Sequence, residues 1–548
     1  MTFRNSPIYV GLAASVCLAV LFSATPVLTE STRSLNAVVS LGAANSVAQA
    51  PGNEASTEVA STNTGERLTH PFSREWLVDH ARELAAQPFE PATIDADGPL
   101  ARLDYDDYRR ITFQPSAAIW AREQRNFSLD LFHPGFIYNT PVNINLVVDG
   151  VSRRVLYDTD IFRYDDEVAE AQHAEAPGYS GFRVYHPINS DQRYEEFLVF
   201  QGASYLRATA KDQIYGLSAR GLAINTARPE GEEFPTFTDF WIERPDVETD
   251  HITVHALLNS ESTTGAYTFY VSPGDSTIID VDATLFPRRD IEHYGIAPLT
   301  SMFLFDATNR SRFDDFRSAV HDSDGLHIQL SNGEQVWRPL ANPQRLQASS
   351  IKASSPQGFG LMQRHQDFTH FNDSEARYEK RTSLWIEPLE DFGEGHITLI
   401  EIPTRQEVHD NIVAFWQPAE PLRANQRHDF KYRMHWGAEV PYAVPEGLIV
   451  ETGRGAALNH EGDHVFVIDY TDGDKIPNIL SNPESVEIRA STTAGAITDT
   501  SGGLVEANGN YRAYIRMNPE RADQAELRVT LHIDDEQWGE TWIYRWNR

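Results

Sequence analysis

The stretch Glu401-Ile-Pro-Thr-Arg-Gln-Glu407-Val-His409-Asp410-Asn411-Ile-Val-Ala-Phe-Trp416 reads as strand, loop and strand in quick succession. Ile397, Leu399 and Glu401 alternate at the period of an extended chain, Pro403 interrupts them, and the run from Ile412 to Trp416 is apolar. Between the two strands stand Glu407, His409 and Asp410. Two readings fit these residues: an ordinary polar loop, or carboxylates held at a sheet edge where a substrate can reach them.

The same alternation continues outward. Ile144 to Val151, Arg153 to Tyr157, Phe182 to His186, Phe197 to Gln201, Ile252 to Leu258, Ala266 to Val271 and Ser276 to Leu285 are alternating or β-branched runs punctuated by Gly, Pro, Asn and Asp. Helical periodicity is confined to Arg74 to Gln87, where Trp76, Leu77, Ala81, Leu84 and Ala85 share a face. The expected fold class is all-β. A run with two prolines, residues 438–447, separates a large β-sandwich at 72–437 from about a hundred residues at 448–548 with the strand number of an immunoglobulin-like sandwich. Strands are expected there at Leu448 to Thr452, His464 to Tyr470, Val486 to Ala490, Tyr511 to Met517, Glu526 to Ile533 and Glu540 to Trp546.

At the N-terminus, Arg4 precedes the apolar run Ile8 to Phe22, the arrangement of an export signal. Ala48-Gln49-Ala50 is a cleavage candidate, with cleavage nearer Ala24 or retention as an anchor as alternatives. Residues 1–50 are therefore read as a leader and the Ser-, Thr- and Asn-rich residues 51–71 as a flexible linker. The one cysteine, Cys17, lies in the leader, so a mature chain has no thiol chemistry and no disulfide.

A formal charge of −33 over 548 residues disfavours nucleic acid and anionic lipid as partners and leaves a neutral polymer such as a polysaccharide unpenalised. Nucleotide loops, zinc-protease and serine-elbow signatures do not occur in the sequence. None of the nineteen histidines are paired at a ligand spacing with acidic neighbours, so no metal and no cofactor is expected. Aromatic and charged residues cluster around Trp241 and Arg244, around Trp337 and Arg338, and around Arg381 and Trp385. Such clusters suit sugar stacking with polar rims, and equally a sandwich core with surface ion pairs. Acidic loops at His321-Asp322-Ser323-Asp324, at Phe371 to Tyr378 and at 401–416 could supply the two carboxylates that glycoside hydrolysis requires.

Several longer motifs carry a family resemblance. Gly202-Ala-Ser-Tyr-Leu-Arg207, Gln213 to Ile224, Gly231-Glu-Glu-Phe-Pro235, Phe240-Trp-Ile-Glu-Arg-Pro245, Ala297 to Phe305, His321-Asp-Ser323, Trp337-Arg-Pro-Leu340, Pro356 to Leu361 and Asp410 to Trp416 resemble the periplasmic glucan biosynthesis family OpgG/OpgD, also called MdoG/MdoD. The resemblance implies a large sandwich similar to galactose mutarotase joined to a small immunoglobulin-like one. It also implies a periplasmic protein acting on β-1,2-linked glucan, as an inverting endo-glucanase or a transglycosylase. Carried over by motif, Asp410 matches the general acid and Asp322 the general base, with Glu407 and Tyr378 in support. In this family the proton paths are thought to run through water or a substrate hydroxyl.

With Glu407 so close to Asp410 in sequence, it is expected to raise the acid's pKa. The motif clusters put Trp241, Arg244, Trp337, Arg338, Arg381 and Trp385 forward as substrate-binding residues. One departure is local: the family often has Arg-Pro-Ser where this chain has Arg381-Thr382-Ser383. A non-catalytic escort of glucan beside an inner-membrane glucosyltransferase is the alternative function, and that glucosyltransferase and a homodimer are the protein partners considered. An epimerase or mutarotase rests on fold analogy alone.

Overall fold

In the computed structural model of the protein, the described residues are 69–438, 441, 447–471 and 486–548. The leader at 1–50, most of the linker at 51–71 and most of the segment 438–447 lie outside them. The described chain is an all-β sandwich protein. The linker expected over 51–71 reaches three residues too far, because Thr69–Pro71 already pairs with Val151–Val155 as an edge strand.

One sheet runs through Thr236–Glu243, Ile252–Asn259, Thr263–Ser272 and Thr277–Pro287 as an antiparallel meander, and continues through His428–Gly437, Ser383–Pro388, Gly358–Met362, Gly325–Gln329 and Gln335–Pro339. The facing sheet contains Gln347–Lys352, Gly395–Glu401, Ile412–Pro418, Tyr294–Ser301, Ser218–Arg220 and Tyr205–Ala208. Alternate residues of each strand meet between the sheets: Val254, Phe269, Val281 and Met434 share one core with Phe200, Leu299, Ala414 and Trp416. The strand expected over Ile144 to Val151 ends at Val148, because the chain turns at Asp149 and Gly150, both at positive φ (51° and 72°), into a second strand, Val151–Val155.

Strand Ile252–Asn259 is buried on both faces, because a helix covers the outer one. Helix Arg74–Ala85 begins where the Ser73 hydroxyl accepts the Trp76 N–H at 3.2 Å. Its buried Leu77, Val78 and Ala81 pack on Leu257, Ala266, Phe286 and Trp241. Burial of Leu77 and Val78 stabilises the dock by about 2 kcal/mol each.

Among the described residues, seven strands between Leu448 and Asn547 form two layers. Leu448–Ala456, His464–Thr471, Tyr511–Asn518 and Ala496–Leu504 make one sheet. Val486–Thr492, Gln524–Ile533 and Glu536–Asn547 make the other, and it extends the large sheet through parallel pairing of Trp337 with Trp542. Arg364 anchors this junction: it lies 3.4 Å over the Trp337 ring and pairs with buried Glu540 at 2.6 and 2.8 Å. Among the described residues no helix is long and apolar enough to cross a membrane.

Candidate active site

Asp410 sits at the foot of Ile412–Pro418, and its neighbour Asn411 fixes it there. The Asn411 amide accepts the Phe303 N–H at 2.8 Å and donates to the Phe303 and Ile402 carbonyls, each at 3.0 Å. Two strand ends are thereby sutured directly behind the carboxylate. Asp322 follows the short strand Val320–His321, and its N–H donates to Met302 O at 2.8 Å. Gln363 ties this loop to the next, donating to the carbonyls of His321 (2.9 Å) and Tyr378 (3.1 Å).

The fold brings Asp322, Asp410, Tyr378, Glu407 and Arg381 together. Both aspartate side chains are only 5% exposed. Burial pushes Asp410 up to about 6; Asp322 pushes the same way, while Arg207, Arg220 and Arg381 oppose it. Asp322 is also raised by burial, against Arg381 and Arg207. Arg381 Nε lies 3.5 Å from Asp322 Oδ1, and Arg207 Nη2 lies 3.4 Å from Asp410 Oδ2. Asp322 Oδ1 is buried and accepts no hydrogen bond from the described residues, which leaves it available to an incoming donor.

Glu407 has a different place from the one its sequence position suggests. Arg317 holds it in an ion pair at 2.8 Å, and Tyr378 donates its hydroxyl to it at 3.2 Å. The group that raises Asp410 through space is Asp322. Tyr378 is buried between Asp322 and Glu407, and burial and both charges keep its phenol protonated. His409 turns into its own loop, where Nδ1 lies 3.1 Å from the Thr404 hydroxyl. At the position where the family often carries proline, the Thr382 N–H donates to Ile214 O at 3.3 Å, a bond proline lacks.

Glu407 and Arg317 open onto a cleft of about 1220 Å³, whose wall includes Phe313, Arg312 and Arg405. Phe316, 75% exposed, is adjacent in sequence to Arg317.

The tryptophans read as sugar platforms are core residues. Trp241 stacks on Phe72 (ring centroids 5.3 Å apart, 17°) beneath the helix. Trp337 and Trp385 pack with Trp542 and Tyr544, and the Trp337 indole occupies the space a Cβ on Gly325 would need. Arg338 is 1% exposed and pairs with fully buried Glu401 at 3.3 Å, so it closes the core rather than a groove. Arg244 lies elsewhere, 3.4 Å from Glu123. Of the six, Arg381 alone reaches the aspartate pair. Arg207, Arg220, Arg317 and Gln363 were not singled out by the sequence. Arg207 closes one of the family motifs, which was an available signal, whereas nothing local marks Gln363.

A family model described as periplasmic glucan biosynthesis protein, MdoG, matches residues 72–546. The chain belongs to this family. A protein of Vibrio cholerae named glucans biosynthesis protein G is 43% identical over 512 residues, covering 92% of each chain. Glucans biosynthesis protein G 1 of Shewanella oneidensis is 41% identical over 548 residues, covering 100% of this chain and 98% of its own. A Shewanella frigidimarina glucans biosynthesis protein G is 40% identical over 541 residues, covering 98% and 95%. The MdoG match spans both sandwiches, so the aspartate pair and the small sandwich lie within one family unit. Membership supports a role in periplasmic glucan biosynthesis.

Proposed function

We propose that this MdoG-family chain is exported to the periplasm and cleaves or transfers β-1,2-linked glucan without a cofactor. Asp410 is the general acid and Asp322 the general base. The observation that carries this reading is the buried Asp322–Asp410 pair, in which Asp410 is raised to about 6 while arginines flank both carboxylates. Two such carboxylates cannot both ionise cheaply, so one proton stays on the pair. Asp410 keeps it and passes it toward the leaving glycosidic oxygen, directly or through a hydroxyl. Asp322, charged beside Arg381, takes a proton from the attacking water. In hydrolysis that water bonds to the anomeric carbon as the glycosidic bond breaks, and inversion follows from attack on the opposite face. A glucan hydroxyl in the water's place gives transglycosylation.

Incubation of the purified chain with linear β-1,2-glucan, followed by product separation, tests this. Shortened or transferred products are expected from wild type, with loss of about 10²–10⁴-fold in Asp410→Asn and Asp322→Asn. NMR of the first-formed anomer checks inversion. Absence of any product from wild type, or full activity in Asp410→Asn, removes the catalytic reading.

The relatives are named for glucan biosynthesis rather than breakdown, and this favours a second role as a glucan-binding partner of the inner-membrane glucosyltransferase. Co-purification of that enzyme with Asp410→Asn, as monomer or homodimer, tests it.

A further inference from the structure

Behind the candidate base lies a second cluster that the proposed chemistry does not use. The His365 and His370 rings stack with centroids 3.8 Å apart and 8° between planes. His365 Nε2 lies 3.7 Å from Glu451 Oε2, and one donor atom from each of the three residues falls within 4.8 Å of the others. Asp306, His321 and Asp324 line the same small cavity, whose volume of about 20 Å³ suits a single ion or water.

Three polar atoms there are buried with no hydrogen-bond partner among the described residues: His321 Nε2, His370 Nε2 and Asp324 Oδ1. His321 is 0% and Asp324 8% exposed. Orphaned polar atoms are costly in a core unless something satisfies them. Arg364, next to His365 in the sequence, already pairs with Glu540.

We propose that His365, His370 and Glu451, with Asp324 behind them, bind a divalent transition-metal ion of the zinc class. Two imidazoles and a carboxylate are a common zinc donor set, and binding one ion requires one of the two stacked rings to turn out of the stack so that both lone pairs face it. Asp306, Asp324 and Glu451 all line the cavity, so carboxylate oxygens are at hand for a dication. The ion ties Glu451, on the first strand of the small sandwich, to the segment after Gly358–Met362 that carries His365 and His370.

The test uses untagged full-length chain stripped with chelator and titrated with Zn²⁺, then with Co²⁺ as a spectroscopic stand-in. Expected are about one Zn²⁺ retained per chain after dialysis, a melting temperature that rises with Zn²⁺, and visible d–d absorption with Co²⁺. His365→Ala/His370→Ala is expected to abolish all three. Glu451→Gln, at a half-exposed position that tolerates substitution, is expected to weaken binding by about tenfold or more. Should the double variant not fold, the Glu451→Gln titration decides. Absence of stoichiometric Zn²⁺ in wild type, or unchanged affinity in Glu451→Gln or in the folded double variant, overturns the proposal.

Discussion

The guanidinium of Arg207 lies 3.4 Å from Asp410 Oδ2 and also lowers the pKa of Asp322, so one cation acts on both carboxylates. Its position is fixed from behind by a 2.6 Å bond from Nε to the Ser218 hydroxyl. Asp410 raised to about 6 and Asp322 raised by burial against two arginines describe a site in which neither group has the properties of a free aspartate.

Removal of the Arg207 charge should move the whole pH–rate profile upward. Asp410 is lifted by burial and restrained by Arg207, so Arg207→Gln raises the acid's pKa; Asp322 loses the same restraint, and the base's pKa rises with it. Both limbs of the kcat/KM profile on β-1,2-glucan are expected to shift to higher pH by about 1 unit or more. Unmoved limbs would exclude Arg207 from proton control.

Asp410→Asn should be more stable than wild type at neutral pH while inactive. The folded-state pKa of about 6 lies above the unfolded value, so the folded chain binds the proton more tightly. The stability linked to that proton is present at acidic pH and lost as pH rises through about 6. Asparagine removes the titration, and the variant's advantage above pH 7 is on the order of 2 kcal/mol, shrinking towards pH 4. Thermal melts of both chains across that range measure it.

Tyr378→Phe deletes the hydroxyl that donates to Glu407 at 3.2 Å and leaves the ring packed beside Phe371. The lost bond is worth about 1–2 kcal/mol, so kcat/KM is expected to fall by about 10-fold with little change in melting temperature. An equal loss of stability would make the tyrosine a fold residue only.

The sheets were legible because period-2 alternation survives wherever one face meets the core, as in Ile397, Leu399 and the facing strands. It failed to separate core from platform at Trp241 and Trp337. There both sheet faces are covered, by the helix at 74–85 and by the small sandwich, so indoles beside Arg and Glu are interior residues with ion pairs nearby. Glu407 misled for another reason: three residues along a loop do not set which way two side chains face. The polar edge strand Ala496–Leu504 carries little apolar signal because most of its residues are exposed. The pairing of His365 and His370 with Glu451 joins residues some eighty positions apart, which no local spacing reports.

The tryptophans give a clean discrimination between packing and sugar binding. Trp241→Ala should destabilise by about 3–5 kcal/mol, because it empties the space between Phe72 and the helix, and should leave the KM for glucan unchanged in the protein that remains folded. A raised KM at unchanged melting temperature would restore the platform reading.

The buried Arg338–Glu401 pair makes a sharper test, because packing and charge predict opposite outcomes for one and two substitutions. Glu401 is 0% exposed; its Oε1 accepts the Ala341 N–H at 2.7 Å, and its Oε2 faces Arg338 at 3.3 Å. Glu401→Gln or Arg338→Met alone strands one charge in the core and should cost about 3–5 kcal/mol. Arg338→Met with Glu401→Gln strands none and should recover most of that loss, with a coupling energy well above 1 kcal/mol in a double-mutant cycle of denaturant melts. Were Arg338 a substrate ligand, the double variant would regain stability yet lose glucan turnover. A core pair predicts that turnover returns with the fold.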